Sequence, residues 1–264
     1  MPPSRNTFLG SVSNVIGSVM RKALYSSVQI LLLGLFALVP FVGSPAALAQ
    51  SGSFVVSQHG NAVGTASFNF TRAGGGYEST SLARIEMKGL KYAFSKTEEL
   101  TPANQLKHVH LSAAINDAAV TVTGAPDGVQ LLLNISANGR SATTRLDPHP
   151  AAVFLPDFDP GALETLLALA VTQNNRDLWA IIPKQAGTIE PVQLATYADE
   201  QGTLDNRPIV VHHLIATIGG AVTDIFAGPE NHLLQAELPQ PGFSMVRKGF
   251  VLKPPTHPGA PPEQ

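Results

Sequence analysis

His108 and His110 stand two residues apart in a run where apolar and polar residues alternate. Both imidazoles therefore leave one face of a strand, while Val109, Leu111 and Ala113 leave the other. Two neutral imidazoles on one face are half of a zinc site, and with a third ligand and an open coordination position they would activate water for hydrolysis. The missing ligand would come from His212, His213 or a carboxylate. His212 and His213 are adjacent and face opposite sides of the strand pattern Ile209 to Ile218. One of them is expected among apolar neighbours, either as a core imidazole bonded to backbone or as a general base. Asp157 and Asp159 flank Phe158. Paired carboxylates suit calcium or acid–base work, but Asp159 ahead of Pro160 also reads as a helix cap, and Asp157 favours the positive end of that same helix. Trp179 and Phe158 would line a pocket near this helix or fill the core.

Other chemistries lack their signatures. No serine occupies a Gly-x-Ser-x-Gly elbow, and Gly74 to Gly76 lies between strand patterns rather than ahead of a helix, which argues against serine hydrolases and nucleotide binding. The chain has no cysteine, so disulfides, a thiol nucleophile, thiolate zinc sites and an acylated N-terminal cysteine are excluded. No cofactor is expected. The sequons Asn69-Phe70-Thr71 and Asn134-Ile135-Ser136 fall inside strand patterns, where a glycan is poorly accepted.

The N-terminal residues read as an export signal. Arg21 and Lys22 precede an apolar run from Val28 to Val42, Ser44-Pro45 breaks it, and Ala47-Leu48-Ala49 forms a small-x-small site. Cleavage is predicted between Ala49 and Gln50. The run of about 15 residues falls short of the roughly 20 that span a bilayer; the alternative is an uncleaved anchor in the inner membrane. No Arg-Arg pair marks the leader, so general secretion to the periplasm or medium is preferred. Of the 17 basic and 19 acidic residues, only Arg5, Arg21 and Lys22 precede Gln50, so residues 50 to 264 carry 14 against 19. That balance, without a basic cluster, argues against nucleic acid or an anionic membrane surface as partner.

Between Ser53 and Leu146 the period is two, as in Ala66, Phe68 and Phe70, again in Leu90, Tyr92 and Phe94, and again in Val129, Leu131, Leu133 and Ile135. Turn residues separate these runs: Gly74-Gly75-Gly76, Pro126-Asp127-Gly128, and Asn138-Gly139, which suits a type I′ hairpin. Asp159 to Val171 is the one helix, with Leu163, Leu166, Leu167 and Ala170 on a single stripe, packing over the sheet or plugging an opening. Strand patterns resume at Leu178 to Ile182, Val192 to Ala198, Ile209 to Ile218, Val222 to Ala227, Leu233 to Leu238 and Phe243 to Leu252, with Gln201-Gly202 among the turns. About a dozen strands and one helix predict an all-β or β-dominated domain over residues 50 to 252, as a strongly curved antiparallel sheet or partly closed barrel. The proline-rich residues 253 to 264 predict a disordered tail.

The stretch Gly202 to Phe250 runs from a Pro-led apolar strand through Thr223-Asp224-Ile225-Phe226 to Leu233-Leu234 and Pro241-Gly242, and an earlier one, Val63 to Arg72, reads VGTASFNFTR. In this order the chain resembles exported bacterial β-rich proteins of unknown function. The resemblance implies an incompletely closed antiparallel barrel in the cell envelope. The chain departs from that pattern at Phe226, where the penultimate strand usually has tryptophan.

Three functions follow as expectations. The first is an exported, non-enzymatic binding or carrier protein holding an apolar ligand or a partner's segment in a curved sheet, with the helix as a lid. The second is a metal-assisted hydrolase built on His108 and His110. The third is an envelope scaffold whose free sheet edge accepts a strand from an envelope protein.

Overall fold

The computed structural model describes residues 50–147, 149–184 and 187–254. The predicted leader and most of the predicted tail lie outside the described residues. Lys253, placed in the tail by its sequence, donates its amide to Gln201 O at 2.9 Å and so extends the last ladder by one residue.

The alternating N-terminal half forms consecutive antiparallel hairpins: β1 (Gln50–Gln58), β2 (Asn61–Ala73), β3 (Gly76–Met87), β4 (Leu90–Leu100), β5 (Leu106–Ile115), β6 (Ala118–Asp127), β7 (Gln130–Ala137) and β8 (Arg140–Leu146). Asn138 and Gly139 join β7 to β8 with φ of 53° and 71°, the doubly left-handed turn that matches strand twist. A short β9 (Ala152–Phe154) leads to α1 (Pro160–Thr172). The C-terminal half supplies β10 (Leu178–Ile182), β11 (Thr188–Thr196), β12 (Glu200–Leu204), β13 (Arg207–Ile218), β14 (Ala221–Ala227), β15 (Leu233–Glu237), β16 (Phe243–Arg247) and β17 (Phe250–Leu252).

The two halves join through β1, which pairs with β2 on one side and β16 on the other. The sheet then continues through β15, β14, β13 and β11 to β10, and ends in β9, which is parallel to β10. β8 pairs with β7 and β9 pairs with β10, so this strongly curved mixed sheet stays open at a seam between β8 and β9.

Two details depart from the sequence expectation. Gln201-Gly202, expected as a turn, lies within β12. A Cβ on Gly202 would stand 2.8 Å from Phe250 Cε2, so the glycine permits close packing between β12 and β17. Phe243 to Leu252, expected as one strand, divides at Lys248-Gly249 because β16 pairs with β1 and β15 whereas β17 pairs with β12. Long β13 serves both layers, pairing with β12 through its first half and β11 through its second. Under that fold-over, Val211, Phe226, Leu234 and Phe250 form a small second core.

The main core fills the concave side of the sheet, and α1 runs through it. Ten of the helix's residues are buried, Ala162, Glu164, Thr165 and Leu169 among them, well beyond the predicted stripe. Each of the buried leucines 163, 166, 167 and 169 contributes about 1.5–3 kcal/mol by leaving water. A helix enclosed in this way is a structural plug. It could not open as a lid without exposing the core.

Candidate functional site

The seam holds an open recess. Leu106, Pro126, Val129 and Leu131 form one wall, Ala152, Ile181 and Ile189 the other, and the cleft between them has a volume of about 470 Å³. Val129, 83 % exposed, stands at the rim. His149 and Pro150, in the link between the two unjoined strands, also line it. The His149 ring stacks on Trp179 with centroids 3.8 Å apart, which fixes the link against β10. Walls this apolar, with few polar groups, suit an apolar ligand.

A polar cluster lies where α1 meets β3 and β4. Asp159 caps the helix as predicted, its Oδ1 accepting from the amides of Gly161 at 2.9 Å and Ala162 at 3.1 Å. Its other oxygen lies 2.5 Å from Lys96 Nζ, which also reaches Glu98 Oε2 at 2.9 Å, and these side chains are out of water. Burial is the largest influence on the Glu98 carboxyl and raises its pKa; Asp159 adds to the rise and Lys96 opposes it. For Lys96 burial acts downward, but the two carboxylates outweigh it and hold the ammonium. The buried hydroxyls of Ser79 and Ser81 border the cluster without a hydrogen-bond partner among the described residues. The arrangement fastens the start of the helix to the sheet.

At mid-helix, buried Glu164 accepts from Leu233 N at 2.7 Å through Oε2, while Oε1 meets His232 Nδ1 at 2.9 Å and the Gln50 amide. The hydrogen bond that His232 donates to Glu164 raises the His232 pKa. These residues adjoin a recess of about 350 Å³ lined by Phe70, Arg72, Tyr77 and Glu230.

The predicted residues are dispersed. His108 and His110 are exposed on the convex face, opposite Glu99 and Thr97 of β4. Among the described residues no group of three His, Cys, Asp or Glu side chains is placed to hold a metal ion, so the structure brings the pair no third ligand. Neither His212 nor His213 is a backbone-bonded core imidazole. His212 meets Asp199 at 2.9 Å in the open, and His213 stacks on Phe226 between Asp224 at 2.9 Å and Glu200 at 3.3 Å. Asp157 turns away from Asp159 toward Lys184, at 2.9 Å, and Gln240, at 2.7 Å. Phe158 and Trp179 do not share a pocket: Phe158 packs on Tyr92 and Phe243, Trp179 on His149. Gln50 opens β1, and Ala49 lies outside the described residues.

Sequence reasoning missed Lys96, Glu98 and Glu164. The signal was present for the first two: they continue the parity of Tyr92 and Phe94 toward Leu100, the buried face of β4. Glu164 had none, because one acidic residue on a leucine-rich helix reads as its solvated side.

No family model and no curated protein matches the chain. Among solved structures it is similar to a β-barrel-like protein of the domain of unknown function DUF1849 from Brucella abortus, with 9 % identity, a TM-score of 0.50, and coverage of 78 % of this chain and 98 % of the other. At that identity the likeness shows the fold alone: a β-barrel-like sheet, here incompletely closed, around one helix.

Proposed function

We propose that this chain is an exported, non-enzymatic binding protein of the bacterial cell envelope that holds an apolar ligand in the seam between β8 and β9. The observation that carries the reading is the cleft of about 470 Å³ walled by Leu106, Leu131, Ile181 and Ile189. Inside the sheet, α1 occupies the core, with ten of its residues buried. Export rests on the leader ending in Ala47-Leu48-Ala49. In support of the absence of a membrane-spanning helix after cleavage, no helix among the described residues is long and apolar enough to cross a bilayer.

The test is to express the full chain with its leader in a bacterial host, recover it from the periplasm, and analyse one sample by denaturing mass spectrometry and solvent extraction. The expected result is a mature chain beginning at Gln50 with one extractable apolar molecule per protein, lost in an Ile189→Glu variant that keeps the wild-type circular dichroism. A wild-type protein that returns bare, and fails to take up an apolar dye, overturns the binding reading. A chain retaining residues 1 to 49 overturns cleavage alone.

A further inference from the structure

The cluster of Lys96, Glu98 and Asp159 holds more than a charge pair needs. Its side chains are 0 or 1 % exposed. Lys96 Nζ lies 2.5 Å from Asp159 Oδ2 and 2.9 Å from Glu98 Oε2, yet neither contact has the direction of a hydrogen bond, and all three atoms lack a hydrogen-bond partner among the described residues. A buried ion pair offsets its desolvation only when its hydrogen bonds are well made. Here the atoms touch without making them.

The parts have the geometry of acyl transfer. Asp159 Oδ1 accepts from the amides of Gly161 at 2.9 Å and Ala162 at 3.1 Å, at the positive end of α1, so negative charge developing on this oxygen meets two fixed donors. Lys96 Nζ, a nucleophile once it loses a proton, touches the other oxygen of the same carboxyl, one bond from its carbon. Glu98 stands at Nζ as a proton carrier, and burial, the largest influence on its carboxyl, favours the protonated acid. Holding the groups in contact removes the entropy cost that makes the same condensation unfavourable between free molecules, and the enclosing core keeps out the water that would reverse it.

We infer that Lys96 and Asp159 condense to an intramolecular amide, with Glu98 as the catalytic acid and base, so that β4 and α1 are covalently joined. The ammonium first passes a proton to Asp159 Oδ2, which leaves both partners neutral. The Nζ electron pair then attacks Cγ, forming the C–N bond and placing the charge on Oδ1. Glu98 gives its proton to the Oδ2 hydroxyl and takes one from Nζ; the Cγ–Oδ2 bond breaks, the oxygen departs as water, and Oδ1 returns to a carbonyl. Nothing is oxidised or reduced, Glu98 ends as it began, and no co-reactant is needed. The product accounts for the loose atoms: Nζ keeps one hydrogen beside Glu98, Oδ2 is gone, and Oδ1 still caps the helix. In a chain without cysteine, this is a cross-link that no reductant opens. It is independent of the proposed seam ligand.

The test is mass spectrometry of the full chain purified from a bacterial host, unfolded and digested with trypsin. The expected result is that residues 92 to 107, uncut at Lys96, are joined to residues 146 to 176, and that the pair is lighter than the two peptides together by one water. Neither peptide includes the N-terminus, so the outcome does not depend on cleavage of the leader. Lys96→Arg, which keeps the cation and removes the nucleophile, should give the second peptide free. Glu98→Gln should leave the peptides largely unjoined at matched times after expression, because general acid–base help is worth roughly 10²–10⁴-fold in rate. A wild-type chain that trypsin cuts after Lys96, with residues 146 to 176 free at their full mass, overturns the proposal. Joining in Glu98→Gln to the wild-type extent overturns the role of Glu98.

Discussion

Lys96 Nζ lies 2.5 Å from Asp159 Oδ2, and this fully buried contact ties the middle of β4 to the cap of α1. Glu98 completes a triad of one ammonium and two carboxylates. Removing the cation would leave two acidic groups in an apolar core, a situation that costs about 3–5 kcal/mol when one partner of a buried pair is deleted. Lys96→Met should therefore lower the unfolding free energy by an amount of that order, read in urea as a lower midpoint at unchanged slope, and by more, with a steeper slope, where the bond to Asp159 is lost as well. The triple variant Lys96→Met, Glu98→Gln, Asp159→Asn keeps a capping oxygen but carries no charge, and should regain most of the loss due to charge. If single and triple variants are equally unstable, packing of the lysine stem or its bond to Asp159, rather than charge, is what holds the helix.

The outward features of this fold were readable because they follow local rules. Alternation placed β2, β4, β5 and β7, Asn138-Gly139 specified a tight turn, and Asp159-Pro160 fixed the helix start to within a residue. What escaped depends on contacts between distant segments. Whether Lys96 faces water or the core is settled by a helix some sixty positions further along the chain, and only parity with Phe94 hinted at it. The stripe of Leu163, Leu166, Leu167 and Ala170 suggested a helix packed over the sheet or plugging an opening; that the sheet encloses Glu164 and Leu169 as well is a property of the whole ladder. The seam escaped for the same reason, since it exists where two strands close in sequence, β8 and β9, do not pair.

Gly161 is a point of contact between helix and sheet with no slack. A Cβ there would lie 2.2 Å from Ser81 Oγ and 3.1 Å from Phe68 Cβ. Gly161→Ala should cost about 1–3 kcal/mol by pushing the helix start off β3. Ser81→Ala removes the obstructing oxygen and the partnerless buried hydroxyl together, so the double variant should be more stable than the sum of the single changes predicts. Additive effects in chemical denaturation would show that the close approach is relieved elsewhere.

His232 should make stability depend on pH near neutrality. Its pKa is raised above the ordinary 6.5, chiefly by the hydrogen bond it donates to Glu164, with the Glu164 and Glu230 charges adding to the rise and burial and Arg247 opposing it. A group that binds its proton more tightly when folded stabilises the fold fully below its unfolded pKa and loses that contribution as pH rises through the folded value. Thermal midpoints should therefore fall from mildly acid to mildly alkaline pH. His232→Gln should flatten that slope, and Glu164→Gln should do the same while also weakening the tie to Leu233. A slope unchanged in His232→Gln would assign the pH dependence to another group.

Trp179 offers a direct view of the seam, because it is the chain's one tryptophan and its partner in the stack, His149, lines the cleft. A ligand entering between Leu131 and Ile189 must displace water from beside that stack, and either shift the His149 ring or shield the indole. Binding of an apolar ligand should therefore change the tryptophan emission saturably. The change should vanish in Ile189→Glu, which puts a charge in the cleft wall. An extractable ligand whose removal and return leave the Trp179 emission unmoved would place the site away from the seam, and the apolar walls there would then be read as the surface on which a partner strand meets the open edge of β8.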